Sequence, residues 1–291
     1  MNSLYTRLDA LLRSDAGARG FSANAGVADM DALVKAFAAA KCALIITGFP
    51  VEADDGHICC ETDGPIGAAH IARAFCDAGK KAYIATDELC YPQLAAAVRL
   101  RAPNAELIKL NGDMEELMEL GIDTVISIER PGKAQDGHCH TAKGRIIDGW
   151  LGADTDEEFE SLHKHGAKTI AIGDGGNELG TGKLFNVTRR VVDHGEDIAA
   201  AQTADITLAS GVSNWWGWGI AAIASVYLNR NVLPDEHEER AVLRAILDAG
   251  AVDGITKRSE ESIDNIDIDK HIALLNEVRG MVKSHLDKQA E

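Results

Sequence analysis

The sequence predicts an α/β fold, with a mostly parallel, Rossmann-like sheet, helices on both faces and a helical C-terminal part. Between residues 29 and 210, short apolar runs alternate with segments of helical periodicity, and from residue 214 the pattern is mainly helical. Repeated strand–helix units favour parallel strands joined by crossover helices. We therefore expect a single α/β catalytic domain over residues 1–291, with an N-terminal helix within 1–28 and a helical extension over 214–291.

The predicted elements follow this alternation in order. Strands are expected at the short apolar runs Cys42–Thr47, Lys81–Ala85, Glu106–Leu110, Thr124–Ile128, Lys168–Ile172 and Ile206–Leu208. Helices are expected at the periodic segments Met1–Asp15, Asp31–Lys41, Ala68–Ala78, Pro92–Leu100, Met114–Leu120, Asp156–His165, Asn214–Leu228, Asp235–Ala249 and Lys270–Leu286. The stretch 130–154 has weak periodicity and is expected to be a long functional loop. Right-handed crossovers place the strand-to-helix loops at one edge, where ligands bind in such sheets.

Composition and charge restrict the possible partners. The chain is 46% hydrophobic and carries a formal charge of −17, which argues against general binding to nucleic acid or to an anionic membrane. The longest apolar stretch, Gly217–Leu228, is too short to span a bilayer. The six cysteines show no C-x-x-C spacing, and the N-terminus does not resemble a signal peptide. A cytoplasmic location is therefore expected.

The first polar turn follows a short apolar run and precedes an alanine-rich helical segment. It reads Glu61-Thr62-Asp63-Gly64-Pro65. Pro65 fits the first turn of a helix, where its missing N–H is not needed. Backbone N–H groups at such a turn favour an anion, so Thr62 and Gly64 are predicted substrate contacts. Glu61 and Asp63 are candidate catalytic groups. The alternative is a purely structural helix start that Asp63 caps.

The second polar turn is the densest glycine segment of the chain. It directly follows an apolar strand and reads Gly173-Asp174-Gly175-Gly176-Asn177-Glu178. So many glycines are unfavourable in backbone entropy unless a left-handed turn or a close ligand requires them. Asp174 and Glu178 are candidate catalytic carboxylates, whereas Gly175, Gly176 and Asn177 are candidate substrate contacts. A merely structural loop is the alternative.

Positive charge for a substrate carboxylate is predicted after the strand that ends at residue 128. Glu129 and Arg130 follow that strand, and the planar guanidinium of Arg130 suits a carboxylate held by two hydrogen bonds. A surface salt bridge between Arg130 and Glu129 or another acid is the alternative. Lys143 and Arg145, in the loop that follows, offer further positive charge.

Three other segments support weaker predictions. An Asp-Gly pair at Asp253 indicates a helix end followed by a tight turn. Residues 138–140 read His-Cys-His, which are good zinc ligands, but no second cluster with partner spacing follows them. We expect a solvated polar loop there. Trp215, Trp216 and Trp218 are expected to pack in the core or against another subunit, and their exposed-looking position hints at a homo-oligomer.

These polar segments occur in the order seen in the D-glutamate cyclase family, which the chain resembles over roughly residues 29–270. The matching motifs are Glu61-Thr62-Asp63-Gly64-Pro65-x-Gly-Ala, Glu129-Arg130-Pro131-Gly132, Gly173-Asp174-Gly175-Gly176-Asn177-Glu178-x-Gly-x-Gly and Ala251-Val252-Asp253-Gly254. The resemblance implies conversion of D-glutamate to 5-oxo-D-proline and water, with Asp253 and Glu129 among the substrate contacts. The loop at Lys143 departs from the family pattern, where arginine is expected.

Ring closure requires a base, an acid and a folded substrate. Holding the amine against the γ-carboxyl group of the same molecule carries much of the catalysis. Asp174 or Glu178 is the predicted base and Glu61 or Asp63 the acid, because clustered carboxylates raise one another's pKa. Backbone N–H groups of the glycine turn are expected to hold the oxyanion. No cofactor is certain, but Asp63, Asp174 and Glu178 offer oxygen ligands that suit Mg²⁺ or Mn²⁺.

Two other functions fit part of the pattern. The glycine segment also resembles the metal-binding end of haloacid-dehalogenase-type phosphatases, which would make the chain a Mg-dependent, phosphatase-like hydrolase of small phosphoesters. Those proteins have an aspartate where this chain has Glu61. A non-catalytic protein that binds an acidic amino acid is the other alternative. The preferred hypothesis predicts a small acidic amino acid as the partner, with neither nucleic acid nor membrane.

Overall fold

The central feature of the computed structural model, which describes residues 3–290, is a six-stranded parallel sheet. Its strand order is β5-β4-β1-β6-β7-β8, and two short antiparallel pairs, β2–β3 and β9–β10, lie outside it. The strands are β1 Cys42–Thr47, β2 Pro50–Glu52, β3 Ile58–Cys60, β4 Lys81–Thr86, β5 Glu106–Lys109, β6 Thr124–Ile128, β7 Lys168–Gly173, β8 Ile206–Ala209, β9 Ser262–Ile263 and β10 Ile266–Asp267. The predicted fold class is confirmed.

Helices fill most of the chain between the strands and after them. They are α1 Ser3–Leu12, α2 Phe21–Asn24, α3 Met30–Ala39, α4 Pro65–Asp77, α5 Tyr91–Arg101, α6 Met114–Glu119, α7 Thr155–Lys164, α8 Phe185–Val191, α9 Gly195–Ile198, α10 Trp215–Tyr227, α11 Glu236–Asp248 and α12 Ile268–Ala290. In the described residues after 214 the chain is mainly helical, as predicted. The expectation of a single domain stays a prediction.

The sheet is buried on both faces because alternate residues of its strands are apolar on each side. In β1, Ala43 and Ile45 join the larger core, which α1, α3, α4, α5, α10, α11 and α12 complete. Leu44 and Ile46 point to the opposite face and pack with side chains of α6 and α7. This two-sided burial explains why the strands are continuous apolar runs rather than alternating ones.

The point where strand order reverses lies between β1 and β6. From β1 the chain moves outward through β4 to β5, and it then crosses back to β6, β7 and β8 on the other side. Neighbouring crossovers leave a crevice at the carboxyl ends of the two strands at such a point. The residues that follow β1 and β6 therefore define where a ligand is expected.

The structure differs from the prediction in its irregular parts. The segment between β1 and α4 contains the β2–β3 hairpin, and α1 ends at Leu12 rather than Asp15. Of the residues predicted to form that first helix, 1 and 2 lie outside the described residues. The loop over 131–153 contains only isolated bridges and one 3-10 turn at Asp148–Trp150.

The three tryptophans at the start of α10 pack in the core, as predicted, and are not exposed. Trp215, Trp216 and Trp218 are at most 2% exposed, and their indole N–H groups donate to His271, the Ala209 carbonyl and Glu239. Because these side chains are buried within the chain, they do not support a homo-oligomer, which stays a prediction. Within residues 3–290, no helix has both the length and the apolar composition needed to cross a bilayer.

Candidate active site

Asp63 and Asn214 connect the first turn of α4 to the first turn of α10. The Asp63 carboxylate accepts hydrogen bonds from the backbone N–H groups of Ser213 and Asn214, at 2.9 and 2.8 Å. In return, the Asn214 side-chain oxygen accepts from the N–H groups of Gly64 and Gly67, at 2.9 and 2.7 Å. Each residue thus satisfies free N–H groups at the start of the other helix. The Asp63 carboxylate also accepts from the N–H of Gly64 at 2.9 Å, so it contacts the starts of both α4 and α10.

The glycine turn after β7 folds around the side chain of Glu178. Its carboxylate accepts from the N–H groups of Asp174, Gly175 and Gly176, at 3.0, 2.6 and 2.7 Å. A Cβ atom on Gly173 would lie 2.3 Å from Glu178 Oε2, and Gly176 has a φ of 85°. The turn's own geometry therefore requires these glycines. Because Glu178 uses the N–H groups of Gly175 and Gly176, they are not free to hold an oxyanion in this structure.

Carboxylates from four segments converge at the carboxyl edge of the sheet. Asp63, Asp174 and Asp264 each place one oxygen within 4.8 Å of the others, and the same holds for Glu129, Asp174 and Glu178. Asp174 belongs to both groups and therefore joins them. All five residues are buried, with at most 7% of each exposed. The two glycine-containing turns predicted to share a site do meet; we call these five residues the carboxylate cluster.

Glu129 occupies a strained backbone position inside the cluster. It directly follows β6, and its φ of 42° lies in the left-handed region that non-glycine residues seldom adopt. Its Oε2 atom is buried without a hydrogen-bond partner, as is Oδ2 of Asp174. Strain and unpaired buried oxygens both destabilise a fold, and both are found preferentially at functional sites. These two oxygens are thus available to a ligand.

Arg19, which sequence reasoning missed, supplies positive charge to the cluster. Its guanidinium forms ion pairs with Asp174 through Nη1 and with Asp264 through Nη2, the latter at 2.7 Å. Asp264 was also missed, since it lies in the irregular stretch before α12. Each residue stands in a segment without periodicity, so no sequence signal marks either one. Their position is set by tertiary packing alone.

Burial raises the pKa of every predicted catalytic carboxylate. The pKa of Asp63 rises to about 7 through burial and the nearby charge of Asp264. Burial also raises the pKa of Asp174 well above its usual range, although Arg19 opposes the rise. For Glu178, burial raises the pKa while hydrogen bonds from backbone N–H groups oppose it. Burial, with the charge of Glu178, raises the pKa of Glu129. Asp63, with a pKa of about 7, can therefore exchange a proton near neutral pH.

Glu61 lies beside the cluster, against the turn that follows α11. A Cβ atom on Gly254 would lie only 1.8 Å from Glu61 Oε2, so the Glu61 carboxylate packs directly on that glycine. Burial and the charge of Asp264 raise the pKa of Glu61, and the charge of Lys257 opposes this rise. The Asp-Gly pair predicted to be a simple turn thus also provides space for a candidate acid.

Comparison with known proteins shows the family of this chain. A family model described as D-glutamate cyclase-like, C-terminal, matches residues 8–279. The chain belongs to this D-glutamate cyclase-like family. The mitochondrial D-glutamate cyclase of Homo sapiens is 30% identical over 260 residues, which cover 78% of this chain and 41% of that protein. The chain therefore spans about two fifths of that relative's length. Because the relative is mitochondrial, a cytoplasmic location for this chain stays a prediction.

The guanidinium of Arg130 has no hydrogen bond or ion pair with the carboxylate cluster among the described residues. It is fully buried and forms an ion pair with Asp87. Its Nε donates to the Thr155 hydroxyl at 3.2 Å, and its Nη1 contacts the Gly48 carbonyl at 3.4 Å. These contacts tie together the ends of β1, β4 and β6 and the start of α7. The Nη2 atom of Arg130 is buried without a hydrogen-bond partner, and the predicted role as a clamp for the substrate carboxylate stays a prediction. Because the ion pair with Asp87 is buried, the alternative of a surface salt bridge is wrong.

The other predicted sources of positive charge also lie outside the cluster. Lys143 is exposed, and its backbone N–H donates to the Thr141 hydroxyl. Arg145 is paired with Glu52 and stacks over the ring of Trp150. Neither side chain has a described contact with the cluster. The prediction that this loop binds the substrate carboxylate is therefore not supported by the geometry.

Several predicted substrate contacts instead hold the site together. Asp253 is fully buried, and its carboxylate accepts from the Ser262 hydroxyl and from the N–H groups of Ile255, Thr256 and Asn265. The bonds from Ile255 and Thr256 shape the turn that begins at Asp253, and those from Ser262 and Asn265 hold the segment that carries Asp264. With both of its oxygens used, Asp253 has no free acceptor directed at a substrate.

The remaining predicted contacts join the cluster to the loops around it. The Thr62 hydroxyl donates to the Ser262 carbonyl at 3.1 Å, and the Asn177 amide donates to the His140 carbonyl at 3.0 Å. Gly64 has a φ of 101°, and a Cβ atom there would lie 2.9 Å from that of Glu129. These residues lie next to the cluster but serve its packing. Whether any of them also contacts a substrate stays a prediction.

The His-Cys-His segment is more buried than expected. Cys139 and His140 are 3% and 4% exposed, and only His138 is solvated, where it pairs with Asp148 at 2.6 Å. The prediction of a solvated loop is therefore wrong for two of the three residues. Within residues 3–290, the groups of side chains placed to hold a metal are the two carboxylate groups and do not include this segment.

Proposed function

We propose that this chain converts D-glutamate to 5-oxo-D-proline and water. The observation that carries the proposal is the convergence of Asp63, Glu129, Asp174 and Glu178 at one buried site in a member of the D-glutamate cyclase-like family. The human mitochondrial relative is named a D-glutamate cyclase. Buried carboxylates with raised pKa values are the groups that a proton-transfer reaction near neutral pH requires.

The reaction forms one C–N bond and breaks one C–O bond. The α-ammonium group first loses a proton, and the free amine then attacks the γ-carboxyl carbon of the same molecule. The tetrahedral intermediate loses a second proton from nitrogen. The departing oxygen of the γ-carboxylate takes up two protons in all, the first to become a hydroxyl group and the second to leave as water. The site must therefore accept two protons at one position and supply two at another. Enclosing both reacting groups gives a large advantage, because no second molecule has to be bound.

The free oxygens suggest how the carboxylates divide these steps. Asp174 and Glu129 each have an unpaired buried oxygen, so either can accept a proton from the substrate amine. Asp63, with a pKa of about 7, or Glu61 is suited to supply the proton to the departing oxygen. The three N–H groups held by Glu178 make it a better organiser of the turn than a proton carrier. Asp174 is therefore the preferred base.

A divalent cation is compatible with the same residues. Three carboxylate oxygens within 4.8 Å of one another match the oxygen-rich ligand sets of Mg²⁺ and Mn²⁺, and two of the contributing residues have unpaired oxygens. Asp63 and Glu178 lie in different groups. A single cation would therefore be held by Asp174 either with Asp63 and Asp264 or with Glu129 and Glu178. A bound cation would supply positive charge to a developing oxyanion. Loss of a Mn²⁺-dependent rise in thermal midpoint in Asp174→Asn would identify Asp174 as a ligand; an unchanged rise would exclude it.

The reaction is tested by incubating the purified chain with D- and L-glutamate, with and without EDTA, and following lactam formation by mass spectrometry. We expect 5-oxoproline from D-glutamate. Replacing Asp174 by Asn should reduce turnover at least tenfold, since a general base typically contributes ~10²–10⁴-fold. An unchanged circular dichroism spectrum would show that the fold is retained. Near-normal turnover in that variant would remove Asp174 from the role of base.

The same preparation distinguishes the two alternative functions. Release of phosphate from p-nitrophenyl phosphate in Mg²⁺, without lactam formation, would favour a phosphatase-like hydrolase. Calorimetric binding of D-glutamate without any product would favour a binding protein. Either result would overturn the proposed cyclisation.

A further inference from the structure

The carboxylate cluster creates a problem of charge for the proposed substrate. D-glutamate carries two carboxylates and one ammonium group, and the reaction uses the ammonium group and the γ-carboxyl group. The α-carboxylate is unchanged throughout, so it needs a cation that does not take part in proton transfer. Buried acids repel it, because like charges at close range in a low-dielectric site are unfavourable.

Arg19 is the cation whose position fits this need. Its two ion pairs, with Asp174 and Asp264, place the guanidinium directly on the carboxylate cluster. Its side chain is 23% exposed, whereas the side chains of its two partners are at most 4% exposed. Arg19 therefore lies between the buried acids and solvent. The guanidinium has five N–H donors and stays charged at all relevant pH values, so it can donate to a further carboxylate while remaining paired.

The backbone that carries Arg19 is fixed in advance. The Asp15 carboxylate accepts from the N–H groups of Arg19 and Gly20, both at 3.0 Å. Gly20 has a φ of 76°, which a glycine adopts without strain. The turn between α1 and α2 thus fixes the direction in which the side chain of Arg19 leaves the backbone, toward the site.

We propose that Arg19 binds the α-carboxylate of the substrate and selects for amino acids that carry one. This inference rests on the proposed function, because it assigns a residue to the substrate of that reaction. Arg130, the cation predicted from the sequence, has its guanidinium paired with the buried Asp87 instead. Arg19 is then a binding residue set beside Asp174, so that the α-carbon and its amine lie next to the preferred base.

The test compares two substrates that differ by the α-carboxylate. 4-Aminobutyrate has the amine and the γ-carboxyl group of glutamate and can close to the same five-membered ring. For Arg19→Gln we expect kcat/KM for D-glutamate to fall about 10- to 100-fold, as for loss of a charged hydrogen bond, mainly through KM. The value for 4-aminobutyrate should fall less, because that compound loses only the effect of Arg19 on Asp174, so the preference for D-glutamate should collapse. Arg19→Lys should retain part of it.

Arg7→Gln is the matched control, because Arg7 is exposed on α1 and should leave both substrates unaffected. An equal fall for the two substrates in Arg19→Gln, or no fall, would overturn the proposed role. If the wild-type chain forms no lactam, the proposed cyclisation fails, and calorimetric affinities for the two compounds then test Arg19 alone. Selective loss of D-glutamate binding in Arg19→Gln supports the role. Unchanged selectivity, or no wild-type binding, overturns it.

Discussion

Asp63 offers a measurable link between the site and the stability of the fold. Burial and Asp264 raise its pKa from an ordinary value of 3.8 to about 7, so at pH 6 the folded chain holds a proton there that the unfolded chain has lost. Stability must therefore fall as the pH rises through this range. For one such group, the linkage relation from pH 6 to pH 8 gives a loss of about 1.4 kcal/mol in the free energy of unfolding.

Replacing Asp63 by Asn removes this titration. The variant also loses part of the capping of α10, but that loss is the same at every pH in the window and cancels when the two pH values are compared. Asp63 also raises the pKa of Glu61, Glu129 and Asp174, so its removal weakens their contributions in the same direction. We expect the stability loss between pH 6 and pH 8 to be smaller in Asp63→Asn by at least about 1.4 kcal/mol.

Urea unfolding followed by circular dichroism measures these free energies at both pH values, which lie above the sequence pI of about 5.0. Asp193→Asn is the matched control, because Asp193 is an exposed aspartate outside the site. The control should lose stability with pH as the wild-type chain does. If Asp63→Asn also runs parallel to the wild-type chain, then Asp63 does not hold the extra proton, and its assignment as the proton donor is refuted.

Three further substitutions test the packing around the site. Arg130→Met should lower the free energy of unfolding by about 3–5 kcal/mol in urea titrations, because it leaves a buried carboxylate unpaired, whereas an unchanged stability would contradict the buried ion pair. Gly254→Ala should displace the carboxylate of Glu61, whose Oε2 would lie 1.8 Å from the new Cβ atom, and turnover should fall at least tenfold if Glu61 transfers a proton. Normal lactam formation by that variant would exclude Glu61 from catalysis. In thermal melts, Gly67→Ala should destabilise the fold by about 1–3 kcal/mol, because its Cβ atom would meet the Asn214 backbone at 2.8 Å. Gly280→Ala is the matched control: it lies on α12 with open space around the new Cβ atom, so it should be neutral or stabilising.

The regular part of the fold follows from local pattern. The strands Cys42–Thr47 and Thr124–Ile128 have the predicted bounds, since each is an apolar run flanked by polar residues. Parallel central strands are buried on both faces, and this makes them easy to recognise. The β2–β3 hairpin was not predicted as such, because strands of three residues outside the main sheet carry too few positions to show a pattern.

Only the parts of the site that are formed by residues adjacent in the sequence could be predicted. The turns at Asp63 and Asp174 combine acids with glycines beside predicted strands or helices, and these turns do meet. Arg130 follows a strand in the same way, yet sequence cannot distinguish a guanidinium that faces a ligand from one that pairs with a buried acid. Arg19 and Asp264 come from irregular segments, so only the packed chain brings them together.

The reciprocal caps of Asp63 and Asn214 have a consequence for the growing polypeptide. The first turn of α4 cannot gain its partner until the ribosome has released a segment 150 residues further along. Until then, the acids of the two turns remain apart and hydrated, where they resemble ordinary surface aspartates and glutamates. We therefore expect catalytic activity to appear late in folding and in a single step. A nascent or partly unfolded chain should have no partial activity.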